Sequence, residues 1–383
     1  MASDGQEGVA ENHSQSSDGR KEEEGLLDKT GRIAGLKEKL GILPSQIEQR
    51  SSISRHIGSP EAIQRVLSTQ ANIFKEQKEL EHERPKTPEE LRVLAIVQEA
   101  TNALREKYGL PAFNIPEQNI HVIKRRFWEN PSGTFYTPES ESITIGEEST
   151  LLAFAKKCFH EMVHMKGHNA SQQIRTESFA DKDTALYRTG FLVYSRKRRE
   201  HFRAINEAIT EELTKRFISA KRKDISEKET AETEETLEKM RGERNGVISD
   251  KAGQATKPED IFVASIAREN LLEKMVRKVQ GKKKPFLRGQ AFTYEKERAC
   301  LSLLIEKIMR RSDEDFEKSD EIFYLFAEGA ITGNILPAAR AIDKAFGEGT
   351  FRRIGECNDD VDELAKYIES LASYPQETAQ KLE

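Results

Sequence analysis

Phe159-His160-Glu161-Met162-Val163-His164 is the stretch on which the reading of this chain turns. Two histidines four residues apart lie on one face of an α-helix. Both imidazoles can therefore be aimed at one Zn²⁺, and Glu161 is placed beside the ion to handle the protons of a bound water. The chain has only eight histidines, so this pairing seldom arises by chance. The simpler reading is an ordinary helix whose histidines are packed or solvated. Leu151, Leu152, Ala155, Phe159, Met162 and Val163 argue against it. They form an apolar stripe, which gives the helix one buried side with both histidines near it, as a metal site requires.

A catalytic zinc takes three protein ligands and keeps one open position. Three downstream residues are candidates for the third ligand: His168, Glu177 and Glu207. In a continuous helix His168 lies about 12 Å along the axis from His160 and cannot reach the same ion. If Gly167 ends the helix, reach becomes feasible. The metzincin pattern, however, needs its third histidine two residues later.

Ile205-Asn206-Glu207-Ala208-Ile209-Thr210-Glu211 resembles the second zinc helix of the gluzincins, the thermolysin-like zinc peptidases. Their pattern is N-E-x-x-S/T-D/E. The resemblance covers the two motif helices and, more weakly, the strands before them. It implies Glu207 as third ligand, with Asn206 and Glu211 in support. Glu211 would hold the second ring nitrogen of a zinc histidine and so fix its tautomer. The resemblance further implies a Zn²⁺ cofactor and a peptide or protein substrate. Hydrolysis would proceed through a zinc-activated water, with Glu161 as general base. A Tyr or His that stabilises the oxyanion is also implied; Tyr194, His201 and Tyr294 are the candidates, packing or surface being the plainer reading of each. The interval from His164 to Glu207 is longer than in thermolysin. Its insert, Asp183 to Tyr194, reads as a strand or hairpin, and the basic run Arg196–Arg199 follows. In this the chain is similar to compact bacterial gluzincin-like proteins. A zincin-like scaffold that binds peptides without cleaving them is the alternative reading, and turnover discriminates the two.

The upstream segment suits such a core. Asn119 to Arg126 and Ser142 to Gly146 alternate as strands do, Thr134 to Tyr136 is a shorter strand, and Glu129 to Gly133 is turn chemistry. The resemblance implies that Gly133–Tyr136 is the strand that pairs with extended substrates in thermolysin-like enzymes; a plain structural hairpin is the equal alternative. The motif helix is expected to begin near Glu148.

Composition bounds the remainder. Charged residues make up 33% and the net charge is −5, so both signs are mixed and no dominant field for nucleic acid arises. No segment has the roughly eighteen uncharged apolar residues of a membrane span. Residues 1–24 are polar and acidic, without the apolar region of a secretory signal. Three cysteines, Cys158, Cys300 and Cys357, are too few for a disulfide framework. The cytoplasm is the simplest location, with non-standard export also compatible. The expected fold is α+β, a zincin-like core followed by a helical C-terminal domain. Residues 1–26 are expected to be disordered and 27–86 helical, including a helix from Ser59-Pro60 toward Glu81. Thr87-Pro88-Glu89-Glu90 is a capping box that opens the catalytic core, 87–221. A charged, partly helical linker (222–258), a helical domain (259–375) and a tail (376–383) complete the chain. In the helical domain, Leu271, Leu272, Met275 and Val276 mark one helix, and breaks fall at Gly333 and Gly347.

Overall fold

A computed structural model describes residues 47–50, 55–58, 81–128, 134–137, 142–173, 184–195, 199–242, 260–266, 287–311, 318–357 and 360–371. In chain order the elements are β1 (Ile47–Arg50), β2 (Arg55–Gly58), α1 (Pro88–Lys107), β3 (Ile120–Ile123), β4 (Thr134–Thr137), β5 (Ser142–Gly146), α2 (Leu151–Lys166), β6 (Asn169–Gln173), β7 (Thr184–Thr189), β8 (Leu192–Tyr194) and β9 (Glu200–His201). There follow α3 (Arg203–Ile225), α4 (Glu227–Gly242), β10 (Ile261–Ile266), β11 (Leu287–Ala291), α5 (Glu295–Met309), α6 (Ser319–Thr332), α7 (Leu336–Phe346), α8 (Thr350–Glu356) and α9 (Val361–Ser370). The class is mixed α and β with small sheets. Among the described residues no helix is long and apolar enough to cross a membrane.

The capping box at Thr87 forms: its side chain accepts from Glu90 N–H, and the Glu90 carboxylate accepts from Thr87 N–H. Arg84 then grips both oxygens of that carboxylate at 2.6 and 2.8 Å. Helix α1 packs on α2. Three strands lie in the order β3-β5-β4, with β3 parallel and β4 antiparallel to β5, so β4 is an edge strand. It lies against α2. A second sheet runs β1-β2-β6-β7-β8-β9.

Helix α2 is held at both ends by side chains. Thr150 caps its start by accepting from Ala153 N–H. The Glu229 carboxylate, from α4, accepts from Leu151 and Leu152 N–H at 2.8 and 2.9 Å. These are orphan donors at the positive end of the helix dipole, where an anion is favoured. At the other end Asn169 donates to His164 and Met165 carbonyls, and Arg105 donates to that of Lys166. The helix ends where Gly167 turns to extended backbone, φ −72 and ψ −170, and a β-carbon there would sit 2.8 Å from the Val163 carbonyl oxygen and 3.1 Å from that of Ala330.

Several expectations need correction. Residues 27–86 are expected to be helical, yet the described residues include β1 and β2. The helix from Ser59, the polar start 1–26 and the tail 376–383 lie outside the described residues. The charged stretch after 222 is not a linker where it is described. Helix α4 packs on β10, with Leu237 against Ile261 and Ala264, and its Thr230, Thr233 and Thr236 are buried. Their hydroxyls return to carbonyls four residues back, and Thr233 Oγ1 also accepts from Ala264 N–H. A buried stripe made of threonine, satisfied within its own helix, looks polar in sequence. The chain from Asp260 is not helical at first: β10 and β11 form an antiparallel ribbon, since a short apolar run such as Ile261-Phe-Val263 suits a strand as well as a helix. Leu271, Leu272, Met275 and Val276 lie outside the described residues. Gly333 and Gly347 end α6 and α7 with positive φ, as expected. One hydrophobic cluster runs from Val93 through the motif helix to Ile368, so the core is not divided between 221 and 259.

Within this core Lys166 is 1% exposed and meets no carboxylate among its bonded partners. Its ammonium donates to Thr101 Oγ1, Asn102 Oδ1 and the Gln98 carbonyl. Burial, and then the neighbouring Arg105, pull its pKa down to about 7. The folded state therefore holds fewer protons than the unfolded one between about pH 7 and 10.5, and stability rises with pH across that window. Lys166→Met should raise the melting temperature at pH 6, and raise it less at pH 10. Its former acceptors keep other partners, since Thr101 still donates to Val97 O and Asn102 Oδ1 still accepts from Phe113 N–H. Thermal unfolding of both proteins at the two pH values checks this; a variant less stable at pH 6 would refute it.

Candidate metal centre

His160 and His164 sit one turn apart on α2, and Glu207 comes from the second turn of α3. The two helices pack side by side, with Phe159 stacked on Phe217 at 4.2 Å between ring centroids. That packing brings Nε2 of both histidines and Oε2 of Glu207 together. His160 Nε2 lies 3.1 Å from His164 Nε2 and 3.3 Å from Glu207 Oε2; His164 Nε2 lies 3.5 Å from the same oxygen. Ligands about 2.05 Å from a tetrahedral Zn²⁺ are separated by about 3.3 Å. The three spacings match the edges of one tetrahedral face. Among the described residues this is the group of His, Cys, Asp and Glu that converges closely enough to hold an ion.

Behind the ligands, Glu211 Oε2 lies 2.9 Å from His160 Nδ1. With Nδ1–H donating to this carboxylate, the lone pair on Nε2 faces the convergence point. Glu211 is wholly buried, and its other oxygen accepts from Thr293 N–H at 2.6 Å, Thr293 Oγ1 at 2.9 Å and Lys156 Nζ at 2.8 Å. Burial alone would raise its pKa, but the Lys156 charge and His160 hold it far below the usual carboxylate range. Burial also opposes charge on His160, yet its bonds to Glu207 and Glu211 raise its pKa to about 10. Glu207 is likewise held well below the usual range, where His164 and His160 outweigh burial.

Glu161 is 6% exposed and points to the same region. Burial pushes its carboxyl pKa up, against the pull of both histidines and a hydrogen bond from Tyr136 N–H on β4. With neutral imidazoles, the carboxylates of Glu161, Glu207 and Glu211 face the single ammonium of Lys156. The imbalance is two negative charges in a buried site, which a divalent cation offsets.

The other sequence candidates are placed as follows. His168 packs its ring beside Gly333, and its backbone N–H donates to Ala330 O, away from the ligand group. Glu177 lies outside the described residues. Asn206 serves the loop and not the histidines: its Oδ1 accepts from Phe191 N–H and fastens the β7–β8 turn to α3. Gly190, at φ +56, makes room for that bond, since a β-carbon there would lie 2.5 Å from Asn206 Oδ1. Tyr194 and His201 lie on the β8–β9 pair. Tyr294 reaches the site: its ring is near-parallel to that of His160 at 5.9 Å, and its hydroxyl stands close to Glu207. Lys156 and Thr293 were not singled out by sequence reading. Lys156 had a signal: it precedes His160 by four residues, on the face that carries both histidines. Thr293 had none.

Comparison with known protein families, with curated proteins and with solved structures gives no match. The geometry predicts that His160→Ala or His164→Ala abolishes tight Zn²⁺ binding and that Glu207→Ala weakens it severely. His168→Ala should leave it unchanged. Competition against a chromophoric chelator measures all four; unchanged affinity in Glu207→Ala would break the ligand assignment.

Proposed function

We propose that this chain is a zinc-dependent peptidase with a zincin-like core, and that Glu161 is its general base. One observation carries the proposal: three ligand atoms from two helices are spaced as a tetrahedral face, with a buried carboxyl from the same helix beside them. A Zn²⁺ held by His160, His164 and Glu207 would supply Lewis acidity toward a water and a scissile carbonyl. Glu161 takes the proton of the attacking water and returns it to the leaving amine. Burial raises its carboxyl pKa, the direction that favours taking up a proton. Glu211 keeps His160 in the tautomer that presents Nε2.

Edge strand β4 supports a peptide rather than a small ester as substrate. It pairs with β5 on one side and lies against α2, and the Tyr136 N–H on Glu161 sets it beside the base. An extended peptide added along such an edge is held by main-chain bonds, with little demand on side-chain identity.

Glu161→Gln is the decisive variant. The amide keeps the size and the ligands but cannot accept the proton. It should retain Zn²⁺ and the wild-type melting temperature, and lose hydrolysis of an unstructured protein such as reduced casein by about a hundredfold or more. Mass spectrometry of the products, with and without a chelator, is the assay. Zinc binding without any cleavage by the wild type would favour the non-hydrolytic scaffold, and undiminished turnover by Glu161→Gln would remove the general-base role.

A further inference from the structure

Thr293 and Tyr294 form the corner between β11 and α5, far in sequence from both motif helices. Tyr294 adopts φ +55, a left-handed conformation that residues with side chains rarely hold without cause. At that corner two consecutive residues meet two acids that stand one turn apart on α3. Thr293 donates to Glu211 through both its N–H and its hydroxyl. The Tyr294 hydroxyl stands close to Glu207, and its ring lies near-parallel to that of His160 at 5.9 Å. Lys156, from α2, donates to Thr293 Oγ1 at 2.9 Å and so joins the same knot.

The corner is itself tied back to α3. Arg298 Nε donates to the Thr293 carbonyl, and Arg298 Nη1 lies 2.9 Å from Asp260 Oδ1. Asp260 in turn accepts Lys215 from α3 at 2.8 Å, and its carbonyl accepts Phe292 N–H. The path from Lys215 through Asp260, Arg298 and Thr293 to Glu211 begins and ends on one helix. A closed circuit of this kind fixes where the corner stands relative to both acids.

We propose that Thr293 and Tyr294 are positioning residues, which hold Glu207 beside the two histidines and Glu211 behind His160 and thereby set the metal affinity of the site. This rests on the reading of His160, His164 and Glu207 as metal ligands. A site formed by the two motif helices alone would have Glu211 facing His160 and Lys156, with Glu207 free to choose other rotamers. The corner removes that freedom, and partners of this kind typically change metal affinity about 10- to 100-fold. The metal centre then depends on a segment more than eighty residues beyond Glu207.

The test uses the full chain and Zn²⁺ alone, with affinity measured by chelator competition and fold by circular dichroism. Thr293→Val and Tyr294→Phe should each weaken Zn²⁺ binding at least tenfold, while the metal-free proteins keep the wild-type fold by circular dichroism. Thr293→Val removes one donor from the buried Glu211 and so lowers the melting temperature of the metal-free protein as well. Thr293→Ser keeps the hydroxyl and should restore wild-type affinity. Tyr194→Phe, outside the site, should be silent. Should Thr293→Val fail to fold, Tyr294→Phe decides alone. Wild-type affinity in both Thr293→Val and Tyr294→Phe overturns the proposal, as does a Thr293→Ser variant as weak as valine. A wild-type chain that binds no Zn²⁺ overturns the metal reading itself, a result distinct from variants that bind as the wild type does.

Discussion

A carboxylate with no exposure to water organises this molecule. Glu211 is ionised in the interior, and a bare charge there would be prohibitive. It is tolerated because four donors converge on it: the His160 ring, the Lys156 ammonium, and the amide and hydroxyl of Thr293. These come from α2 and from the corner before α5, while Glu211 itself stands on α3. Satisfying one buried acid therefore fixes the mutual position of three elements that are distant in sequence. Removing one charged partner from such a pair typically costs about 3–5 kcal/mol, because the other charge stays buried without compensation.

The rest of the structure is arranged to keep α2 in register with that acid. Its first turn is held by Thr150 and by Glu229 from α4, and its last turn by Asn169 and Arg105. All of these contacts are to backbone groups that a helix leaves unpaired at its ends. A helix clamped in this way cannot slide or rotate by a fraction of a turn. Such a movement would spread Nε2 of His160 and His164 away from Glu207 and lose the tetrahedral spacing. Asn206 performs the same service for α3, where it holds the β7–β8 turn against the helix that carries Glu207.

The side chains that converge at the candidate site were legible in the sequence because they obey helical periodicity. His160 with His164, and Glu207 with Glu211, are pairs four apart, and that spacing alone puts each pair on one face. The strands before the motif were legible from alternation, and α1 from its capping box. What was misread shares a different cause. The buried threonine stripe of α4 hides its packing role behind polar residue types. The β10 strand is too short and apolar to be told from a helix turn. Asn206 belonged to a recognisable pattern, yet its side chain serves a loop.

By itself the sequence determined the elements of the candidate metal centre: which helix faces carry nitrogen and carboxylate groups, and that a carboxyl stands beside them. Local periodicity suffices for that, because side chains on one helix are positioned by that helix's own geometry. Only the tertiary structure decided that the faces meet, that Glu207 rather than His168 joins the two histidines, and that Lys156, Thr293 and Tyr294 surround the acids. Those relations cross from one element to another over long stretches of chain. They are set by packing and by the need to satisfy buried charge, and neither leaves a periodic trace in the sequence.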